Sequence, residues 1–249
     1  MQQLRDPVSG CPWDIKQDFQ SIAPYTIEEA YEVADAIERN DMQGLKSELG
    51  DLLFQVVFHS QLASEAGLFD FDDVVNSVSG KMTVRHPHVF QSGSAKLTAE
   101  QQTDAWELAK SKHKESVVDG IANNLPELLK AVKLTKYAAV IGFDWSHVDP
   151  VFDKLMEEVG ELKEAIVEAD QAHIEEELGD VLFVVANLAR QLKVDPSAAL
   201  RKSNAKFEQR FRMVEQLAKQ LEPEKKIFDL EILDELWDQV KVELQNRND

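Results

Sequence analysis

Four acidic residues in the second half of the chain have the types and the spacing of a metal site. They form two pairs with two residues between the members of each pair: Glu158, Glu161, Glu177 and Asp180. Residues three apart on a helix project from the same face. A polar turn near Asp170 allows two helices to fold back antiparallel and gather the four carboxylates. Hard oxygen ligands of this kind suit Mg²⁺, with Mn²⁺ as the alternative ion.

The same acidic pattern occurs earlier in the chain. Each of the four acids has a counterpart 129 residues before it: Glu29, Glu32, Glu48 and Asp51. One acidic cluster in a chain with 46 Asp and Glu against 27 Lys and Arg is most simply a solvated surface. Surface charges are free to differ between repeats, however, whereas these four recur at one offset. We therefore predict metal ligands in the second repeat as first choice, and a second site in the first repeat.

Two other metal chemistries fit the sequence less well. A di-iron bundle needs Glu-x-x-His on two helices, and none of the six histidines lies three residues after a Glu. His86 and His88 in RHPHVF offer nitrogen ligands, but packing within a loop is the simpler interpretation. We predict a site made of carboxylates alone.

Two cations accompany the acids in the second repeat. Lys206 and Arg210 lie four residues apart in a long stretch without Gly or Pro, so they share a helical face. A metal-bound polyphosphate would use Lys as a point charge and Arg as a bidentate fork. Surface pairing with acids such as Glu208 is an equally good interpretation. The counterparts Lys81 and Arg85 lie on a shorter segment, so we expect the better-organised site in the second repeat.

The elements that must position these residues are predicted to be helices, and the fold class is all-α. No segment alternates with a period of two for long enough to indicate a sheet. Asp195 before Pro196, and Thr98 three residues before Gln101, are typical helix N-termini. Helical spacing also predicts a core-facing side for the segment that contains Leu49, Leu52, Leu53, Val56 and Val57.

The repeat predicts two helical-bundle units, 1–119 and 120–249, and we expect the second to be the main catalytic unit. Gly, Asn and Pro interrupt the helical pattern at 120–127. The helix predicted at 126–142 has almost no counterpart at the N-terminus. Either the chain begins late in the repeat or the first repeat is the more degenerate. We expect Trp13 and Trp145 in the two cores.

Composition excludes several classes of protein. The net charge of −19 argues against nucleic-acid binding, which needs Lys and Arg to displace counterions, and against anionic membranes. Cys11 is the only cysteine, so neither a disulfide framework nor a thiolate cluster can form. No signal peptide is evident, and the apolar stretches are too short to span a bilayer. We predict a cytoplasmic enzyme or binding protein.

The doubled acidic pattern resembles the MazG family of nucleoside triphosphate pyrophosphohydrolases, in particular its two-copy bacterial members. The segments GCPWD (10–14), RHPHVF (85–90) and GFDW (142–145) add to the resemblance, which covers essentially the whole chain. It implies an all-α, Mg²⁺-dependent enzyme that hydrolyses NTPs, ATP included and dNTPs as further candidates, at the α-β phosphate bond to NMP and pyrophosphate. It also implies a homodimer whose site is built by helices of both chains.

The resemblance also implies roles for particular residues. The metal ligands would be the four acids of the second repeat. The nucleotide contacts would be Lys154, Glu158, Glu176, Asp180, Lys206, Arg210 and Trp237. His173 stands where a Lys is often found in the family, so that contact is in question, and the extra N-terminal helix of the long members is absent. The general base is not identified among the candidates Glu157, Glu175 and Glu176, each of which is more simply a surface acid.

Two other functions remain open at this point. A non-catalytic acidic helical adaptor would bind a basic protein partner and would show neither nucleotide binding nor a Mg²⁺-dependent thermal shift. A specialised relative would act on one nucleotide, such as dUTP or phosphoribosyl-ATP. No set of residues in the sequence indicates a base or sugar preference.

Overall fold

The chain is described by a computed structural model that covers residues 1–90, 98, 101, 102 and 115–246. Ten helices lie within these residues, which contain no β-strand, so the all-α prediction is confirmed. The chain divides into two compact units, Met1–Gln102 and Thr103–Asp249. Residues 103–114 lie outside the described part, and the boundary at 119/120 therefore stays a prediction. None of the described helices is both long and apolar enough to cross a bilayer.

The first unit is built around a helical hairpin. Its helices are α1 (Pro12–Ile15), α2 (Phe19–Glu38), α3 (Met42–Glu65), α4 (Phe71–Arg85) and α5 (Pro87–Phe90). Helices α2 and α3 pack against each other along their lengths. Aspartates cap both N-termini, because Asp18 accepts a hydrogen bond from the Ser21 amide and Asp41 accepts one from the Gly44 amide. The short connection between the two helices makes them antiparallel neighbours.

The second unit repeats this hairpin and adds helices on either side. Its helices are α6 (Glu127–Val140), α7 (Asp149–Glu168), α8 (Gln171–Gln191), α9 (Pro196–Leu221) and α10 (Leu230–Asn246). Helices α7 and α8 form the hairpin, α6 packs on α8, and α9 packs chiefly on α10. The predicted cap at Asp195 is confirmed, since its side chain accepts from the Ser197 and Ala198 amides.

The predicted capping box at Thr98 is also confirmed. The Gln101 amide donates to Thr98 Oγ1 at 3.2 Å, and the Thr98 amide donates to Gln101 Oε1 at 3.0 Å. This reciprocal pair satisfies two amides that a helix N-terminus would otherwise leave unpaired.

Each unit has its own apolar core. In the first unit the buried side chains of Ile22, Phe58 and Leu62 pack together. In the second unit Val214 and Val240 lie in a cluster between α9 and α10. The clusters are small, and much apolar surface of the single chain stays exposed.

Arg5 holds the N-terminal segment onto the first hairpin. Its side chain is almost fully buried and forms a bidentate pair with Glu65, with Nε to Oε1 at 2.9 Å and Nη2 to Oε2 at 2.7 Å. It also donates to the backbone oxygens of Asp14 and Gln17, and its guanidinium lies 5.5 Å from the Phe58 ring centroid. The hydrogen bond from Arg5 lowers the pKa of Glu65.

The predicted core face of α3 is wrong in part, because Leu52 and Val57 are half-buried while the other three residues are exposed. Leu53 is 55% exposed and Leu49 is also exposed, whereas Gln55 and Phe58 are buried. Apolar side chains surround this helix on nearly every side, so periodicity did not distinguish one face from another. Phe58 packs against Ile22 of α2, and the part of the predicted face that contains Leu49, Leu53 and Val56 is exposed.

The expectation that two tryptophans lie in the cores is also wrong. Trp13 and Trp145 are both exposed in the single chain. Trp13 packs edge-on against Tyr25, with ring centroids 6.0 Å apart. The backbone oxygen of Trp145 accepts a hydrogen bond from Gln191 at 3.1 Å. Both residues lie on segments that cover the ends of the helical hairpins.

Candidate metal centre

The hairpin of α7 and α8 brings three of the four predicted acids together. Glu158 and Glu161 project from α7 and Glu177 from α8, and one carboxylate oxygen of each lies within 4.8 Å of the others. Glu158 is 5% exposed, and the Glu177 side chain is 12% exposed. Asp170 fixes the start of α8, because its carboxylate accepts from the Ala172 amide at 3.0 Å. Rigid helices therefore hold these three carboxylates.

One oxygen of this cluster has no partner. Glu177 Oε2 is buried and makes no hydrogen bond within the described part of the chain. A buried carboxylate oxygen left unpaired costs free energy, which a bound cation or a metal-bound water would recover. The donor set is made of hard oxygen atoms, so these residues fit a small divalent cation such as Mg²⁺.

The close approach of the acids changes their proton affinity. A hydrogen bond with Glu158, followed by burial and by the charges of Glu158 and Glu177, raises the pKa of Glu161. In the absence of a cation, Glu161 therefore retains its proton to a higher pH than an isolated glutamate does. A bound metal would displace that proton.

Lys154 is the cation next to the cluster. Its Nζ lies 2.6 Å from Glu157 Oε1 and 2.8 Å from Glu158 Oε1. Hydrogen bonds to Glu157 and Glu158 raise the pKa of Lys154, so the ammonium stays charged. The lysine offsets part of the negative charge that the three glutamates bring together.

His173 adds a second basic group. Its Nε2 lies 3.2 Å from Glu177 Oε1, and its Nδ1 lies 3.4 Å from Glu168 Oε2. Burial lowers the pKa of His173, but the bond to Glu168 and the charges of Glu177 and Glu168 outweigh it and raise the pKa overall. These partnerships of Lys154 and His173 were not predicted, although the spacing of four residues to Glu158 and to Glu177 was visible in the sequence.

Several predicted residues are not part of the group of three. Asp180 and Glu176 are exposed, and Asp180 lies one turn after Glu177 on α8. Among the base candidates, Glu157 is paired with Lys154, and Glu175 Oε1 accepts from Gln171 at 3.4 Å. His86 and His88 belong to neither of the two potential ligand groups that the described residues contain.

The predicted cations Lys206 and Arg210 lie elsewhere in the unit, on α9. No hydrogen bond or ion pair joins them to the three glutamates within the described residues. The Arg210 guanidinium lies 5.9 Å from the Trp237 ring centroid, and Phe207 lies 5.3 Å from the same ring. Arg210 Nε is buried without a hydrogen-bond partner in the described chain. We call Phe207, Arg210 and Trp237 the basic-aromatic patch.

The first repeat gathers a similar set of acids. Oxygen atoms of Glu29, Glu48 and Asp51 lie within 4.8 Å of one another, with Glu32 outside this group. Burial, followed by the charges of Asp51, Glu32 and Glu48, raises the pKa of Glu29. Burial and the neighbouring Glu32 likewise raise the pKa of Glu48. The sequence therefore predicted two acidic clusters, and both are present.

Comparison with known proteins agrees with this geometry. The family model of the MazG nucleotide pyrophosphohydrolase domain matches residues 17–90 and 149–214, together more than half of the chain. The chain belongs to the MazG family. The two matched ranges contain the two acidic clusters, so the internal repeat is a repeat of this domain.

Two relatives match along nearly the whole chain, and a third matches about half of it. The nucleoside triphosphate pyrophosphohydrolase of Escherichia coli is 49% identical over 250 residues, which cover 97% of this chain and 94% of the relative. The nucleoside triphosphate pyrophosphohydrolase/pyrophosphatase MazG of Thermotoga maritima is 42% identical and covers 97% and 92%. A Mycobacterium tuberculosis nucleoside triphosphate pyrophosphohydrolase is 36% identical over 56% of this chain and 43% of its own length.

Proposed function

We propose that this MazG protein is a Mg²⁺-dependent nucleoside triphosphate pyrophosphohydrolase, which hydrolyses NTPs at the α-β phosphate bond to NMP and pyrophosphate. The observation that supports this most directly is the convergence of Glu158, Glu161 and Glu177, with one buried carboxylate oxygen left unpaired. The names of the relatives support the same activity.

The three glutamates would hold the ion, and Asp180 would join them from the next turn of α8. Bound Mg²⁺ supplies Lewis-acid polarisation of a phosphoryl oxygen and a water of lowered pKa. Glu161, whose pKa is raised by its neighbours, must be deprotonated before it can act as a ligand. Lys154 is placed to exchange its contact with Glu158 for a phosphate oxygen, because its ammonium is charged and adjacent.

The phosphate tail needs more cations than the cluster provides. Arg210 is a suitable donor, since its buried Nε is unpaired and a guanidinium binds phosphate oxygens in a bidentate manner. Lys206 lies one turn before it, and Trp237 offers a ring for nucleotide contact. Because these residues are not joined to the glutamates within one chain, we propose a homodimer in which a second copy supplies them.

Exposed apolar residues support the homodimer. They occur at matched positions of the two repeats: Leu49 and Leu178, Leu53 and Leu182, and Val56 and Val185. Apolar surface of this extent on helices is typical of an interface between proteins. A second copy of the chain would bury it.

Pyrophosphate and NMP release tests the activity. We expect both products from ATP, GTP, CTP and UTP with Mg²⁺ or Mn²⁺, and none with a chelator. Glu158→Gln should abolish release, whereas Glu164→Gln, an exposed acid on the same helix outside the cluster, should not. Parallel assays with dNTPs, dUTP and phosphoribosyl-ATP distinguish a broad enzyme from a specialised one. An absence of product from every nucleotide would favour the adaptor. Cell fractionation tests the predicted cytoplasmic location.

Mixed dimers test the shared site. Glu177→Gln removes a ligand on α8, and Arg210→Ala removes a cation on α9, so each variant alone should be inactive. If one chain supplies the acids and its partner the cations, co-expressed chains with one change each form one intact site per mixed dimer. Recovery of activity is the expected result. No recovery from verified mixed dimers would place all these residues in one chain's site.

A further inference from the structure

The first repeat keeps the acceptors of an ammonium group without the lysine that supplies it in the second. There the ammonium of Lys154 lies 2.6 Å and 2.8 Å from oxygen atoms of two adjacent glutamates. Those two acids recur 129 residues earlier as Glu28 and Glu29. The position of the lysine is occupied by Tyr25. Two carboxylates that could bind an ammonium group are therefore present, and the chain does not provide one from this position.

The antiparallel hairpin of α2 and α3 brings a buried amide to the same level. Ile22 of α2 packs against Phe58 of α3, and this contact gives the register of the hairpin. Tyr25 lies three residues after Ile22, and Gln55 lies three residues before Phe58. Because the helices are antiparallel, Tyr25 and Gln55 lie opposite each other.

The acidic cluster of the first repeat begins one turn beyond this level. In the same register Glu29 lies opposite Asp51, and oxygen atoms of these two acids and of Glu48 lie within 4.8 Å of one another. From Gln55 to Glu48 the distance along the axis of α3 is about 10 Å. The oxygen acceptors therefore form a row along the hairpin that is two helical turns long.

Gln55 adds an acceptor that the chain itself does not use. The residue is 6% exposed, and its Oε1 makes no hydrogen bond within the described part of the chain. Long side chains on a helix lean towards the N-terminal end, so this side chain extends towards Asp51 and the cluster. A buried acceptor without a donor costs free energy. In the second repeat the same position holds Val184, which needs no donor. The oxygen of Gln55 therefore indicates a ligand that brings donors or positive charge.

Two aromatic rings lie at the same end of the row. Trp13 and Tyr25 pack edge to face with their ring centroids 6.0 Å apart, and their side chains are 50% and 40% exposed. Ring faces attract ammonium groups, and they also pack against aliphatic chains. A hydrated divalent cation gains nothing comparable from a ring. Rings beside carboxylates and an amide oxygen therefore favour an organic cation.

The charges of the cluster also favour a cationic ligand. Burial and the neighbouring acids raise the pKa of Glu29 and of Glu48. The charge of Arg39 lowers the pKa of Glu48 in part, but Arg39 also pairs with Asp35 at 2.8 Å and lies 3.6 Å from Asp41. Its positive charge is thus shared with other acids, and the repulsion within the cluster is only partly offset.

We propose that the first repeat binds an aliphatic polyamine, with one ammonium group held by Glu29 and the amide oxygen of Gln55. The methylene chain lies on the ring of Tyr25, and a second ammonium group reaches Asp51 and Glu48. A row of acceptors two turns long fits a diamine or a longer polyamine better than a monoamine. The net charge of −19 attracts such polycations to the protein. This site is separate from the pyrophosphohydrolase site proposed for the second repeat.

Calorimetric titration of the full chain with putrescine and with spermidine tests the site. Gln55→Val introduces the residue type of the second repeat and removes the amide acceptor, so the affinity should fall about tenfold. The variant should remain as stable as the wild type, because an apolar side chain replaces a buried acceptor that has no donor. Gln43→Val changes an exposed glutamine of the same helix outside the row, and this matched control should bind like the wild type.

Tyr25→Lys provides the ammonium group from the chain itself, as the second repeat does, and should lower the affinity for putrescine at least about tenfold. Tyr25→Phe keeps the ring and should retain binding. Equal affinities in wild type, Gln55→Val and Tyr25→Lys would overturn the proposal, because the amines would then bind the acidic surface in general.

Manganese binding separates a polyamine site from a metal site. Glu177→Gln removes a ligand of the second cluster, so Mn²⁺ that this variant binds is assigned to the first cluster. We expect spermidine to displace this Mn²⁺, which electron paramagnetic resonance measures as free ion. Mn²⁺ that stays bound in saturating spermidine would overturn the proposal. All these readouts measure binding, so failure of this site and absence of pyrophosphate release are separate results.

Discussion

The two acidic clusters have the same origin and different surroundings. In the second repeat Lys154 pairs with Glu158, and His173 pairs with Glu177. In the first repeat the corresponding positions are Tyr25 and Gly44, which offer no positive charge. Tyr25 instead packs on Trp13. In the first cluster the charge of Arg39 offsets part of the repulsion at Glu48, but burial and the neighbouring acids still raise the pKa of both Glu29 and Glu48.

This difference shows that the spacing of the acids determines only one part of a site that is repeated in the chain. Spacing on two helices is sufficient to bring three carboxylates together, and both repeats do so. What the carboxylates can then bind depends on neighbouring groups outside the acidic pattern. We expect the second repeat to accept a metal-bound polyphosphate, because it has cations close to its acids.

The largest effect should come from matched changes in the two clusters. Glu177→Gln removes a metal ligand, and we expect pyrophosphate release to fall at least about a hundredfold. Glu48→Gln is the same change 129 residues earlier, and we expect a much smaller loss. The measurement is kcat for ATP, with thermal unfolding to show that both variants fold. Equal losses would mean that both repeats contribute to one activity.

A large effect on stability should come from the first unit. Arg5→Ala leaves Glu65 and two backbone oxygens without their donor, and we expect a loss of about 2–3 kcal/mol in the free energy of unfolding. Denaturant unfolding followed by fluorescence measures it. If catalysis belongs to the second repeat, the folded variant should keep its kcat. A large fall in kcat at denaturant concentrations at which the variant is still folded would contradict that assignment.

An exchange of Lys154 and Tyr25 should have an intermediate effect. Lys154→Tyr gives the second cluster the surroundings of the first, and we expect roughly a tenfold lower kcat/KM for ATP, since a hydrogen bond to a charged group is lost. Lys154→Arg keeps the charge and should retain more activity. Tyr25→Lys is the reciprocal change and should lower the pKa of Glu29 in NMR titrations. Unchanged kinetics in Lys154→Tyr would exclude a phosphate contact.

The smallest effect should be the pH dependence that His173 adds to stability in the metal-free protein. Its pKa is raised in the folded state, so its contribution is fully present below the unfolded value and is lost as pH rises through the folded value. His173→Gln should therefore lower the melting temperature at pH 5.5 and leave it unchanged at pH 8.5. A constant difference across this range would show that the histidine acts through packing instead of charge.

The sequence predicted the helices and the acidic clusters because both follow from local rules. Glu158 and Glu161 are three positions apart, as are Glu177 and Asp180, and this spacing places each pair on one helical face whatever the rest of the chain does. The angle at which two helices meet decides which acids then converge. Glu161 lies in the second group and Asp180 does not, whereas in the first repeat Asp51 is included and Glu32 is not.

Other features depend on contacts between distant residues. Asp144 and Arg190 are 46 residues apart, and no local spacing indicates that they pair. In the sequence, the GFDW segment is informative only through its resemblance to the family, and its pattern does not indicate the pairing of Asp144. The outward face of α3 was missed because Leu49 and Leu53 satisfy the same periodicity as the buried residues. Features of this kind can be identified only when the tertiary packing of the helices is known.

Lys154 also affects the acidic cluster of the second repeat when no cation is bound. When no divalent cation is bound, repulsion between neighbouring carboxylates tends to separate the helices that carry them. The ammonium that lies 2.8 Å from Glu158 offsets part of this repulsion when no cation is bound, so we expect the empty cluster to keep its shape. We therefore expect removal of divalent cations to leave the helices of the second cluster in place.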